Sequence, residues 1–433
     1  MCLARGRNST WRIGGFLIYP PTLRLKPQTV YYLWTGFLAF GFATIFTLLP
    51  VYYINEAGLT PFQLVLVGTV LESTVFICEV PTGVVADVYS RRLSVIIGTL
   101  LLGTGLAIEG ALPALAAIFI GEVIRGIGHT LTSGAMEAWL AGEIGEETVG
   151  SVYLRGSQVE QGASLLGIAA SAVLARWGLQ APILTGALII FAAGIFLIIA
   201  MRETSFVPAA RTGRNSWQAT LDTARDGLRT IRRSPFLVTF VLIALFVGMS
   251  GEGYDRLWEA HLLENIPFPV LLNLQSTTWF GIIAGLSSLL SIAVTETVQR
   301  RLDQSHERSV ALVLVFCTLA QVAGVLGFAW SGQFFLAVVC HLVGSLCKGI
   351  AAPLRNSWLV RSVDPQVRAT VLSTVSQADA IGQTAVGPVI GWIGSVRGLR
   401  VALSVAGIAL SPLVPLFMRA GYAAKQDLVS TAE

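Results

Sequence analysis

Residues 83–92 read Gly83-Val-Val-Ala-Asp87-Val-Tyr-Ser-Arg91-Arg92 and stand between two long apolar runs. Glu79-Val-Pro81-Thr-Gly83 loosens the end of the first run, a carboxylate follows, and two arginines precede the second. Charge of this density is expelled from hydrocarbon, so an interfacial loop is expected here, and arginines flanking a span favour the cytoplasmic side. Outward from this loop, apolar runs of about 20 residues, the length that crosses a bilayer, recur along the chain. They lie at about 30–54, 61–86, 93–112, 113–140, 152–177, 182–201, 236–263, 277–298, 310–330, 334–360, 370–396 and 401–419. Twelve spans follow.

Composition agrees. The chain has 433 residues, 54% of them hydrophobic and 12% charged, with a mean hydropathy of +0.70, which excludes a soluble globular protein. The cysteines inside runs (Cys78, Cys317, Cys340, Cys347) lack ligand spacing and read as small packing residues. No cluster of His, Cys and acids shows metal spacing, and no phosphate-cradling loop or nucleophile arrangement appears. An enzyme, a metal site, a cofactor and a nucleic-acid partner are therefore not expected.

Basic residues orient the chain. Residues 1–29 carry Arg5, Arg7, Arg12, Arg24 and Lys26 and no acid, and residues 202–234 are again arginine-rich. With both termini cytoplasmic, the outer loops hold only Arg176, Arg397 and Arg400, and four cations (Arg125, Arg256, Lys348, Arg355) fall within spans. Adding or losing one span would spoil this bias. The expected organisation is a basic N-terminus (1–29), a six-helix bundle (30–201), a cytoplasmic linker (202–234), a second six-helix bundle (235–420) and a cytoplasmic tail (421–433), in the cell membrane. In the linker, Trp217, Leu221, Ala224, Leu228 and Ile231 recur at helical spacing, as an amphipathic surface helix would place them. Tyr31, Tyr32 and Trp34 at one end of span one, and Tyr52 and Tyr53 at the other, read as belts at two headgroup levels.

The halves repeat each other at an offset of about 220 residues. Ala138-Trp139-Leu140 closes span four as Ser357-Trp358-Leu359 closes span ten, Gly162 and Gly167 match Gly382 and Gly387, and Glu160 falls one position from Asp379. Asp303 to Arg308 is a worn copy of Asp87 to Arg92. Internal repeats mark secondary transporters, whose substrate sits near the midplane where the repeats meet.

A charge at the bilayer centre costs about 2.5–3.5 kcal/mol on insertion scales, so each must be paired, hydrated or neutral. Glu72 and Glu79 lie in span two, Glu122, Arg125, His129 and Glu137 in span four, Glu160 in span five, Glu252, Asp255, Arg256 and Glu259 in span seven, Lys348 in span ten and Asp379 in span eleven. Spans six, nine and twelve carry none in their middles and are expected to face lipid. Spacings of three and four put Glu122, Arg125 and His129 on one helical face, either as a self-neutralised pair or as an arginine tuning a carboxylate for proton exchange. Glu122, Arg125, Glu160, Asp379 and Glu72 are the proton-coupling candidates. Glu252, Asp255, Arg256 and His129 are candidates for a substrate cavity or gate, with Gly248, Gly251 and Gly253 marking a helix break in span seven.

Gly83, Asp87, Arg91 and Arg92 between spans two and three resemble the signature loop of the major facilitator superfamily, and Arg125-Gly126-x-Gly128 is similar to its second signature. The resemblance covers 30–419. It implies an all-α membrane fold of twelve helices in two pseudo-symmetric six-helix bundles, a buried arginine linked to proton transfer, and a loop acid that meets the start of span eleven, here Asp364-Pro365. Span five has Gly162 and Gly167 without the proline of the drug:proton antiporter motif, whereas Gly387-Pro388-x-x-Gly391 stands in span eleven. The linker from Trp217 through Pro235 is similar to that of macrolide and tetracycline exporters. The expectation is a monomeric secondary transporter that expels amphipathic or cationic small molecules against protons by alternating access. The alternative is an importer or facilitator of a polar metabolite on the same fold.

Overall fold

The structure, a computed structural model, describes residues 11–13, 16–18, 25–206, 234–270, 274–301, 307–363 and 368–430. The linker helix expected from Trp217, the loop copy at Asp303 and the Asp364-Pro365 pair lie outside the described residues.

The N-terminal half begins with α1 (Pro27–Phe46) and α2 (Leu49–Asn55), which together make span one. Pro50 has no N–H to donate to the Phe46 carbonyl, so the helix breaks at Thr47 and Leu48. α3 (Pro61–Val88) starts at a capping box, in which Thr60 and Gln63 each accept from the other's backbone N–H. α4 (Arg91–Ala111) follows after two residues. Span four is α5 (Leu115–Thr132) and α6 (Ala135–Ile144), divided where Gly134 takes a φ of +71° that a side chain would strain. α7 (Glu146–Leu174) and α8 (Gln180–Ala200) complete the half.

The second half runs α9 (Pro235–Asn265), α10 (Ser276–Arg301), α11 (Glu307–Trp330), α12 (Phe334–Arg361), α13 (Arg368–Arg397), α14 (Leu399–Ile408) and α15 (Leu413–Ser430), with span twelve shared by the last two. Ahead of α1, residues 11–13 pair antiparallel with 16–18. Among the described residues ten helical segments are long and apolar enough to cross a membrane. The two remaining long helices are α7 and α13, whose Gln158, Glu160 and Gln161, and Ser376, Gln377, Asp379 and Gln383, make them the most polar passes. α7 packs along α1, and α13 along α9 and α3, so twelve passes form two six-helix bundles.

Four expectations are corrected. The stretch 83–92 is no extended loop: α3 stays helical to Val88 and only Tyr89 and Ser90 separate it from α4. α9 is unbroken for 31 residues. Its glycines serve close packing instead: a Cβ on Gly248 would strike the Asp379 carbonyl of α13, and one on Gly253 the Ile390 side chain at 2.7 Å. Tyr52 and Tyr53 are buried rather than belted at a headgroup level. The glycine match between halves is also shifted, since Gly167 and Gly382 sit directly against the Phe40 and Leu245 carbonyls of spans one and seven, whereas Gly162 faces open space.

The apolar cores reveal the state of the molecule. At the end bearing the 83–92 turn each bundle has its own core, one around Val30, Val95, Trp139 and Leu197 and the other around Phe236, Leu314, Trp358 and Phe417. At the opposite end one core straddles both bundles, joining Val65 and Leu106 to Leu257 and Ile390. There Ser395 accepts from the Phe62 N–H at 3.0 Å, and Gly387 and Gly391 lie against Val65. Toward the turn end Leu154, on the α7 face that farther along sets Ile168 and Ala172 against α10, is 73% exposed. The seam between the bundles is sealed at the far end and open at the turn end. Leu188 on α8 and Phe316 on α11, exposed at 67% and 69%, form part of the apolar exterior.

Candidate functional site

The 83–92 turn is held by its arginines. Arg91 Nη1 donates to the Ala138 carbonyl of α6 (2.9 Å), while Arg92 donates to the Ile198 and Met201 carbonyls at the end of α8 (2.9 and 2.7 Å). Cations at helix C-termini satisfy carbonyls that have no partner in the helix and complement its dipole. Ser90 caps α4 by accepting from the Leu93 N–H and also donates to Glu203, whose other oxygen accepts from the Arg92 N–H. Asp87 is left 63% exposed, with Arg91 at 4.0 Å. Gly83 meets open space.

Inside the N-terminal bundle a charge cluster forms around Arg125. Its guanidinium pairs with Glu122 one turn away and stands 3.6 Å from Glu109 of α4. Tyr53 donates to Glu109 Oε2 at 2.6 Å, Tyr52 donates to the Glu109 carbonyl at 3.0 Å, and the ring of Phe46 lies 5.4 Å from the Arg125 carbon. Both acids are fully buried. Two carboxyls share one cation, and each keeps an oxygen without a hydrogen bond among the described residues. Close packing makes room for them: a Cβ on Gly121 would strike Glu109, and one on Gly105 the Gly121 carbonyl at 2.6 Å.

Across the seam stands the charged face of α9. Glu252 accepts from Arg256 at 2.9 Å, and both side chains lie directly against Gly68 of α3. Asp255 pairs with Lys348 of α12. Glu252, Asp255 and Lys348 border a cavity of about 730 Å³, set mainly in the C-terminal bundle and closed on one side by Phe46 and Thr47. That size suits a drug-sized molecule. A smaller, more polar cavity of about 250 Å³ opens between α3, α5 and α13, with Glu72, Glu79, His129, Ser133 and Gln377 in its wall. Asp379 and Gln383 belong to both walls, and Gln383 donates to Asp379 at 2.7 Å.

The expected residues thus divide. Glu122 and Arg125 are joined. His129 leaves them and faces the polar cavity with Glu72 and Asp379. Glu252 and Asp255 stand on the larger cavity, while Arg256 pairs with Glu252 outside the cavity lining. Glu160 is exposed on α7 and joins none of these groups among the described residues. Three participants escaped the sequence: Glu109, Tyr53 and His341.

A profile of the Major Facilitator Superfamily matches residues 31–304, more than half of the chain. The chain belongs to the Major Facilitator Superfamily. Its members are membrane transporters rather than enzymes, which fits a seam closed at one end only. An uncharacterised transporter of this superfamily from Bacillus subtilis (strain 168), YxaM, is 22% identical over 375 residues, covering 86% of this chain and 90% of that protein. Among solved structures, a point mutant of the nucleoside transporter NupG superposes with a TM-score of 0.76 at 13% identity, covering 91% of this chain and 100% of the other. The peptide transporter POT in complex with sulfate gives 0.72 at 13% identity, with 93% and 97% covered. At such identities the likeness is one of fold. For a facilitator, the Asp87 turn lies where the open end of the seam begins, and the Arg125 cluster lies behind the cavity wall.

Proposed function

We propose that the protein exports a cationic or zwitterionic amphipathic small molecule in exchange for protons, with the turn end of the seam facing the cytoplasm. The observation that carries this reading is the double position of Asp379. One carboxyl forms part of the wall of a large, largely apolar cavity and of a smaller one rich in acids, so a proton arriving on one side and a cation held in the larger cavity are in competition through that carboxyl. Competition of that kind couples two fluxes without any further device, because occupancy by either ligand changes the affinity for the other by the same factor. Glu72, within electrostatic reach of Glu252, Arg256 and Asp379, extends the acid path toward α9. The basic bias of the loops supports the cytoplasmic assignment.

The test is flux of a cationic dye in everted membrane vesicles under an imposed proton gradient. Asp379→Asn is expected to abolish gradient-driven accumulation while leaving equilibration of the dye. Gradient-insensitive flux in the unaltered protein, together with a silent Asp379→Asn, would sink the reading. Import of a polar metabolite, with the same acids acting as hydrogen-bond acceptors, is favoured by the polar lining of the smaller cavity. It predicts accumulation driven by the substrate gradient alone.

A further inference from the structure

Around the larger cavity the acids have partners, with one exception. Asp255 is matched by Lys348, Glu252 by Arg256, and Asp379 by the Gln383 amide, with Arg355 in electrostatic reach. Glu259, one helical turn beyond Asp255, has no ion pair among the described residues, and its own backbone N–H is the donor its carboxyl finds. It is only 7% exposed, its Oε2 accepts nothing, and it stands in the cavity wall. A carboxylate withdrawn from water with one oxygen unsatisfied is costly, and an occupant that brings a donor and a positive charge lowers that cost.

The same cavity wall carries aromatic side chains. Trp258 stacks on His341 with ring centres 4.1 Å apart, and Phe280 lies 5.8 Å from Trp258. Tyr254 shares a hydrogen bond with His341 Nδ1 at 2.9 Å, and Ser345 engages Nε2 at 3.4 Å. Both histidine nitrogens are therefore committed, and His341 acts as a positioning residue that fixes the planes of Trp258 and Tyr254. All of these side chains border the cavity. Aromatic faces attract cations through the ring quadrupole, most strongly where water is excluded. One unmatched acid fits one positive charge; of the cations in this wall, Lys348 is engaged by Asp255, and Arg355 stands within electrostatic reach of Asp379.

We propose that Glu259, Trp258, Tyr254 and Phe280 form the seat for the ammonium group of a monovalent organic amine, inside the C-terminal bundle and apart from Asp379. This rests on the reading of the protein as a transporter of cationic molecules and adds where the charge is held. The apolar remainder of the amine then lies along Ile283, Val325 and Leu410, which line the same cavity.

The experiment is equilibrium binding to the full-length protein purified in detergent, at one pH and without a gradient, using 4-phenylbutylamine and its uncharged counterpart 4-phenylbutanol. The amine is expected to bind about tenfold more tightly than the alcohol. Glu259→Gln is expected to erase that difference by weakening the amine alone, and Glu160→Gln, exposed on α7 and outside the cavity wall, to preserve it. The proposal is overturned if the unaltered protein does not favour the amine, if Glu259→Gln binds the amine undiminished, or if Glu160→Gln loses the preference to the same extent. Should Glu259→Gln fail to give monodisperse protein, Trp258→Leu and Phe280→Leu decide: each is expected to weaken the amine severalfold more than the alcohol, and equal binding in both overturns the seat. Because binding is read without a gradient, its failure leaves proton coupling untouched. Failure of coupling in vesicles likewise leaves the seat standing.

Discussion

Gly68 offers a direct handle on the equilibrium between the two access states. It sits on α3 where the bundles press together, directly against the Glu252 carboxylate and the Arg256 guanidinium of α9. A methyl group there cannot be accommodated in the state described here unless the ion pair moves. Overpacking a well-filled contact costs about 1–3 kcal/mol, and separating the Glu252 and Arg256 pair entirely would cost about 3–5 kcal/mol. The pair occupies the ends of flexible side chains, so the lower range applies to Gly68→Ala. In the opposite state the bundles draw apart at this level, and the penalty vanishes. Gly68→Ala is therefore expected to move the equilibrium away from the state open at the turn end by about 5- to 150-fold. Spin labels introduced near the turn-end mouths of α7 and α12 would report it as a shift from long to short distances. An unchanged distance distribution, or one shifted toward the longer component, would refute the argument that Gly68 is a contact point of this state.

Two further outcomes follow from the buried charges and the turn. Arg125→Met leaves Glu109 and Glu122 buried without their cation and is expected to cost about 3–5 kcal/mol, seen as a lowered thermal midpoint in detergent; adding Glu109→Gln and Glu122→Gln should restore most of it. Arg92→Ala removes two charge-assisted bonds to the end of α8, each about 1.5–3 kcal/mol at most, and is expected to raise hydrogen exchange at residues 198–203 while leaving the sealed far end unaffected.

Much of this was legible in the sequence, and the parts that were not have definite causes. Span count and the two-bundle organisation follow from apolar run length and loop charge, which are local quantities. The Glu122 and Arg125 pair follows from helical spacing. Glu109 was invisible for the opposite reason. An acid three residues before Leu112-Pro113 reads as the wet end of a span, and only the break at Pro50, on a different segment, swings Tyr53 over it. Trp258 and His341 are indistinguishable from core residues by pattern, because their significance depends on what faces them from α10 and α12. The glycines of span seven misled in another way: their composition suggests a break, yet a helix against which another helix packs closely needs the same residues.

The break in span one has one more consequence. On its near side Phe46 and Thr47 line the larger cavity, with the Phe46 ring also resting on Arg125. On its far side Tyr53 grips Glu109. A single kinked joint of eight residues thus spans the larger cavity and the vault where the acids are stored. Any bending at that joint alters both together, making the proline at its centre a mechanical hyphen between loading and charge.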